Sequence, residues 1–210
     1  MSDSVPFAED PEDTYDAIMY ATFSALKKYG YAELSIQRIA SELNFSKSTL
    51  YHHFSDKDDL LLSFFNFLLD ELEQFCKSSS TNEPKKELLD FVDVLLDEGI
   101  TQKEQSAKGE ILAAYIELRS QAIHDTKYRE RITRTDKRFV KQIAVIIDAG
   151  IDKGVFQPVE PEETAEFILA ILNGILMQGS TRKRAPFQQL RQNLIEYIQT
   201  ELFVESATRS

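Results

Sequence analysis

The chain has 210 residues and is acidic, with 35 Asp and Glu against 24 Lys and Arg and a formal net charge of −11. Hydrophobic content of 42% excludes a disordered chain, and polar residues interrupt every apolar run before spanning length, so no transmembrane helix is expected. A single cysteine, Cys76, excludes an internal disulfide and fits a reducing cytoplasm; no Cys/His cluster has structural zinc spacing.

In chain order, residues 1–12 carry Asp3, Glu9, Asp10 and Glu12 with no Lys or Arg and read as a disordered acidic arm, not a signal peptide. Residues 13–29 predict a first helix, with Ile18, Ala21, Thr22, Ala25, Leu26 and Tyr29 at helical spacing and Gly30 as a left-handed cap. Ser35 is placed to cap a second helix whose apolar face is Ile36, Ile39, Ala40 and Leu43. Asn44 is the natural breaker, Phe45 plugs the corner, and Ser46 recaps a third helix. There Leu50 and Phe54 face inward, leaving Lys47, Ser48, Thr49, Tyr51 and His52 outward.

Two short helices joined by a tight turn are the layout of a helix-turn-helix, in which the second helix enters the major groove and hydroxyls at its N-terminus suit phosphate oxygens. The spacing fits a small three-helix core with a polar surface equally well. Within residues 35–57 the cations Arg38, Lys47 and Lys57 stand against Glu42 and Asp56, a net +1 that leaves −12 for the rest. The stretch is only weakly basic in an acidic chain, so counterion release would contribute modestly to any affinity for nucleic acid.

Ser55 with Asp58 resembles a capping box opening a long helix at about 56–79, apolar on more than one side through Leu60, Leu61, Phe64, Phe65, Phe67, Leu68 and Leu72. The polar run 78–82 is the clearest break in the chain. Further helices are predicted at 84–99, opened by Pro84, at 106–123 and at 127–153. His124-Asp125 reads as a turn pair because no nucleophile lies beside it. The cations Arg129, Arg131, Arg134, Lys137 and Arg138 are interleaved with Glu130 and Asp136 and read as a solvated or salt-bridged face. The last two helices, at about 161–180 and 186–203, are too apolar to hide all their surface within one chain. Small Ala170 and Gly174 permit close helix approach, so the pair fits a two-fold four-helix interface or, more plainly, a monomer core.

The run IASELNFSKSTLYHHFSDKDDLL resembles the signature of the tetracycline-repressor (TetR) family of transcription regulators. The matching features are Ile39-Ala40, Ser46-Lys47, Thr49-Leu50-Tyr51, His53-Phe54, Lys57 and Leu60-Leu61, with Gly30-Tyr31 upstream; the detailed match covers about residues 13–70. Position 48 departs from it, because the family often has Gly where this chain has Ser48. The resemblance implies an all-α chain with a three-helix DNA-binding domain at 13–57 and an effector-binding and dimerisation domain at 58–210. It implies a cytoplasmic, non-enzymatic, homodimeric regulator, most simply a ligand-released repressor on a palindromic operator. A helical regulator without a small-molecule pocket, controlled by a protein partner, is the alternative. Expected DNA contacts are Gln37, Arg38, Ser46, Lys47, Ser48, Thr49, Tyr51, His52 and Lys57, with Thr49 and His52 best placed for base edges. The acidic arm is not expected to touch DNA. Candidate pocket residues are Phe65, Phe91, Leu95, Tyr115, Leu118, Ile143 and Phe167, each more readily read as plain core, and the scarcity of buried charge points to an apolar effector. No cofactor or metal is expected.

Overall fold

The computed structural model describes residues 13–43, 46–78, 83–96 and 107–204, with the backbone alone at 69, 71–78 and 107–111. The expected acidic arm, the Asn44-Phe45 corner, the Cys76 side chain and the segments around 79–82 and 97–106 lie outside this description. The described residues form α1 (Thr14–Glu33), α2 (Ile36–Leu43), α3 (Lys47–His53), α4 (Lys57–Ser78), α5 (Pro84–Leu95), α6 (Ala107–Gln121), α7 (Thr126–Asp152), α8 (Pro161–Thr181) and α9 (Phe187–Glu201). The chain is all-α, as its periodicity predicts. Among the described residues no helix is long and apolar enough to cross a membrane.

The helices fall into two compact units. The first holds α1, α2, α3, α4 as far as Gln74, α6, and α7 as far as Thr135; the second holds the end of α4, α5, the remainder of α7, α8 and α9. The sequence suggests a functional boundary at residue 57, whereas packing places most of α4 and all of α6 with the N-terminal helices.

In the first unit, Asp13 caps α1 by accepting from the Asp16 N–H at 3.0 Å. α1 buries Ile18, Met19, Ala21, Ala25 and Leu26 against α2 and α6. Buried Thr22 avoids an unsatisfied hydroxyl by donating to the Ile18 carbonyl at 2.8 Å. Leu60, Leu61, Leu62, Phe64, Phe65 and Phe67 of α4 join Ala114, Leu118 and Ile132 in one core. Each fully buried Leu or Phe there stabilises the fold by about 1.5–3 kcal/mol.

Two local expectations need correction. Gly30 has φ 68° but ψ 169°, so it kinks α1 in a conformation outside the left-handed helical well, and one more turn follows to Glu33. The cap of α4 sits one residue later than expected. Asp56 accepts from the Asp59 N–H at 2.8 Å, and Asp59 reaches back to the Ser55 N–H and hydroxyl at 2.9 Å. Both Ser-x-x-Asp and Asp-x-x-Asp satisfy the capping pattern; Asp56 supplies the stronger, charged acceptor at a helix start.

In the second unit, Pro84 opens α5 and Pro161 opens α8, each in a position where the missing N–H costs nothing. Gly154, at φ 67°, turns the chain out of α7. Beyond α9 the chain returns to this turn. Gln157 N–H donates to the Leu202 carbonyl at 2.8 Å and Val204 N–H to the Val155 carbonyl at 2.9 Å, making an isolated antiparallel bridge between Phe156 and Phe203. Their rings stack at 5.2 Å, and Lys85 covers Phe203 while donating to the Val204 carbonyl at 2.8 Å. Periodicity gave no sign of this clasp.

Candidate nucleic-acid interface

The candidate interface is built on α2 and α3. Ser35 Oγ accepts from the Arg38 N–H at 3.2 Å, fixing the start of α2. Ile36, Ile39 and Ala40 are buried on the face the sequence assigns to the core. Ser46 accepts from the Thr49 N–H at 3.2 Å and shares a hydroxyl contact with Thr49 at 3.0 Å. Leu50 is fully buried and Phe54 nearly so, and this orients everything else on α3.

Ser46, Lys47, Ser48, Tyr51 and His52 are exposed and Thr49 is half-buried. Tyr51 is 56% exposed, a large aromatic presented to solvent beside a cation and three hydroxyls. On α2, Gln37 is exposed, but Arg38 is already engaged. Its Nη1 donates to the Glu33 carbonyl at 2.6 Å and pairs with the Glu33 carboxylate at 2.7 Å, and its guanidinium lies 4.6 Å from the Tyr29 ring centre. Lys28 pairs with Glu42 at 2.9 Å, and the Tyr29 hydroxyl donates to the same carboxylate at 3.2 Å. Glu42 is held below the usual carboxylate range, chiefly by the Lys28 hydrogen bond. Lys57 stands over the Tyr31 ring at 4.2 Å. Only Lys47 of the expected cations projects from the exposed face of α3.

The start of α4 carries contacts that the sequence does not reveal. The Tyr128 hydroxyl donates to Asp58 Oδ2 at 2.5 Å, and Arg131 Nη1 pairs with Asp59 Oδ1. Gln121 Nε2 donates to the Tyr31 hydroxyl at 3.4 Å. Burial and the negative charges of Asp58 and Glu117 push the Tyr31 phenol up to about 12. Burial, then the hydrogen bond to Asp58, raise Tyr128 further above its ordinary range, so both phenols keep their protons near neutral pH. The partners lie 70 to 90 residues apart, beyond the reach of periodicity. The sequence reads Arg131 as part of a solvated or salt-bridged face with Glu130 and Asp136 interleaved, and its partner here is instead Asp59 of α4.

Burial alone would raise the Asp59 carboxyl, but the Ser55 N–H and hydroxyl together with Arg131 outweigh it and hold the group below its ordinary 3.8. A depressed folded-state pKa means stability that is complete above the unfolded value and lost as pH falls through the folded one. Asp59→Asn is therefore expected to lower the urea midpoint at neutral pH. The gap from wild type should close in acid below 3.8. Circular dichroism titrations at both ends of that range check it, and a gap that stays constant would contradict the assignment.

The seven candidate pocket residues are divided between the two units. Phe65, Tyr115 and Leu118 belong to the first unit, with the Phe65 and Tyr115 rings edge-on at 5.6 Å. Phe91, Leu95 and Ile143 belong to the second, where Phe91 meets Phe139 at 6.3 Å. Phe167 is 48% exposed and lies 5.4 Å from Tyr197, so it is a surface residue rather than a lining one. Helical periodicity puts it on a solvent stripe with Ala170, Gly174 and Met177.

Residues 18–64 match the bacterial regulatory proteins of the tetR family, and residues 84–202 match the C-terminal domain of BetI-type transcriptional repressors. The chain belongs to the tetR family. A TetR transcription regulator from Haloarcula marismortui is 30% identical, with a TM-score of 0.72 over 90% of this chain and 97% of its own. The uncharacterized HTH-type transcriptional regulator YfiR of Bacillus subtilis is 23% identical over 88% of this chain and 90% of its own length. A transcriptional regulator from Saccharomonospora viridis in complex with choline shares the fold, at 20% identity and a TM-score of 0.69 over 91% of this chain and 98% of its own. As a TetR-family member the chain is a DNA-binding transcriptional repressor of the helix-turn-helix type, in a family of regulators rather than enzymes.

Proposed function

We propose that this TetR-family chain acts in the cytoplasm as a homodimeric repressor that binds a palindromic operator through α3 and leaves it when a small molecule binds the C-terminal part. The observation that carries the reading is the exposed face of α3, where Lys47, Ser48, Tyr51 and His52 project from a helix anchored by buried Leu50. Lys47, Lys57 and the hydroxyls of Ser46 and Ser48 hold phosphate; Thr49 and His52 meet base edges; Gln37, exposed at the start of α2, adds a backbone contact. Arg38 acts mainly as a brace, since Glu33 and Tyr29 already hold it.

The dimer forms through α8 and α9. Phe167, Ala170, Gly174 and Met177 make an exposed seam at spacings of three and four residues, with Tyr197 of α9 beside it. That spacing suits helix-on-helix packing across a two-fold axis. Release requires an effector that binds the released state better than the DNA-bound one. An apolar ligand fits a chain with little buried charge. The choline held by the Saccharomonospora viridis regulator favours a second class, quaternary ammonium compounds, for which aromatic faces such as Phe65 and Tyr115 are the appropriate surface.

Fluorescence anisotropy with DNA from upstream of the protein's own gene tests the reading across a salt series. A dimer is expected to saturate one short palindrome. Lys47→Ala and Tyr51→Ala should each weaken it about tenfold, in line with about 1.4 kcal/mol for a charge-assisted contact. With Lys47 and Lys57 as the phosphate-neutralising cations of each head, the slope of log K against log salt should be shallow, about −4. Binding indifferent to sequence and to both substitutions would overturn the proposal. Adding choline and a panel of apolar compounds then decides the effector class; release by none of them favours control by a protein partner.

A further inference from the structure

The first turn of α4 carries Lys57, the one expected phosphate contact that lies outside the helix-turn-helix itself. That turn is held by three contacts from two helices. Tyr31 of α1 lies under the Lys57 ammonium, Tyr128 of α7 donates to Asp58, and Arg131, one turn further along α7, pairs with Asp59. Asp58 Oδ1 is buried and has no hydrogen-bond partner among the described residues, so Tyr128 is the donor on which that carboxylate depends. Tyr31 in turn accepts from Gln121 at the end of α6. Two consecutive acidic residues bound to two residues three apart on one helix fix both the position and the rotation of the α4 start, which a single contact does not.

We propose that Tyr128 and Arg131 are positioning residues for DNA binding, latching the first turn of α4 so that Lys57 is presented to the operator phosphate. The inference rests on the reading of Lys57 as a phosphate contact. It makes α7 a determinant of affinity although none of its residues is among the proposed DNA contacts. Since α7 runs from the first unit into the second, displacement of its N-terminal turn loosens Lys57 without any change in α2 or α3.

The latch is tested by a double-mutant cycle on the full-length protein with the anisotropy assay described above. Tyr128→Phe is expected to weaken operator binding five- to twentyfold while sedimentation still gives the wild-type oligomer. Its effect should shrink to less than twofold in a Lys57→Ala background, because both changes remove the same contact. Asp58→Asn keeps an acceptor for Tyr128 and should stay within twofold of wild type, whereas Asp58→Ala should match Tyr128→Phe. A merely structural role would lower the melting temperature and weaken binding equally with or without Lys57. Losses that multiply independently, or a Tyr128→Phe protein that binds like wild type, would overturn the latch while leaving the repressor reading intact. If the wild type binds no DNA at any salt, both fall. Should Tyr128→Phe fail to fold, Arg131→Gln takes its place in the cycle with the same expected coupling.

Discussion

Gly174→Glu is expected to leave the protomer folded and to weaken both dimerisation and operator binding severely. A Cβ built at Gly174 meets nothing within 4 Å, so the protomer has room for a side chain. Replacing glycine inside α8 gains about 0.5–1 kcal/mol of helix propensity, so unfolding by urea should show equal or slightly greater stability. The proposed seam reacts in the opposite way. Across a two-fold axis each substitution appears twice, which places two carboxylates and extra bulk where Phe167, Ala170 and Met177 call for close apolar contact. A weakening of the dimer by at least about a hundredfold, near 2.7 kcal/mol, is the expected result. Loss of the second half-site contact then takes most of the operator affinity with it. Sedimentation at micromolar protein is the check. A dimer that survives Gly174→Glu with unchanged affinity would place the interface elsewhere.

The second large effect is expected at Gly150. A Cβ there would fall 2.1 Å from Phe156 Cδ2 and 2.6 Å from Cγ, the body of the ring rather than a flexible tip. Phe156 has little freedom to retreat, since it stacks on Phe203, which Lys85 covers in turn. Gly150→Ala gains about 1 kcal/mol of helix propensity, but displacing the ring forfeits a share of the roughly 3–5 kcal/mol that a buried phenylalanine represents. The net expectation is a loss of about 2–4 kcal/mol, read as a lower denaturant midpoint. The clash accounts for that loss only if it vanishes when the ring is gone. In a Phe156→Ala background, Gly150→Ala should therefore cost nothing and gain up to about 1 kcal/mol. An equal cost in both backgrounds would mean that the close approach is not what fixes glycine at this position.

Much of this fold is local and can be read from the sequence. Pro84, Pro161, Gly154 and the Ser46 cap mark helix boundaries through backbone chemistry confined to a few neighbouring residues. The inward faces of α1 to α4 follow from the recurrence of Ile18, Ile39, Leu50, Leu60 and Phe64 at helical intervals. What periodicity cannot give is which partner a polar side chain meets. Arg38 turns to Glu33 and Tyr29, Lys57 to Tyr31, and Asp58 to Tyr128, because these choices depend on how separate helices pack. Phe167 is hard to place from sequence for a related reason. An apolar residue on an almost uniformly apolar helix carries no signal of whether it faces its own chain or outward. The Asp56 cap eluded the pattern because two overlapping registers satisfy the same rule.

The packing of α1 against α6 bears on how such regulators can be recombined. Residues 107–121 of α6 and the first turns of α7 supply Ala114, Leu118 and Ile132 to the core that α1 and α4 share. The reading head is thus not a module that ends where the helix-turn-helix ends. A graft of residues 13–57 onto a related C-terminal part would leave α1 facing a helix shaped for a different partner. A hybrid regulator that keeps this chain's operator choice must carry the α6 face along with it, and mismatched hybrids should fail as packing defects before they fail as binders.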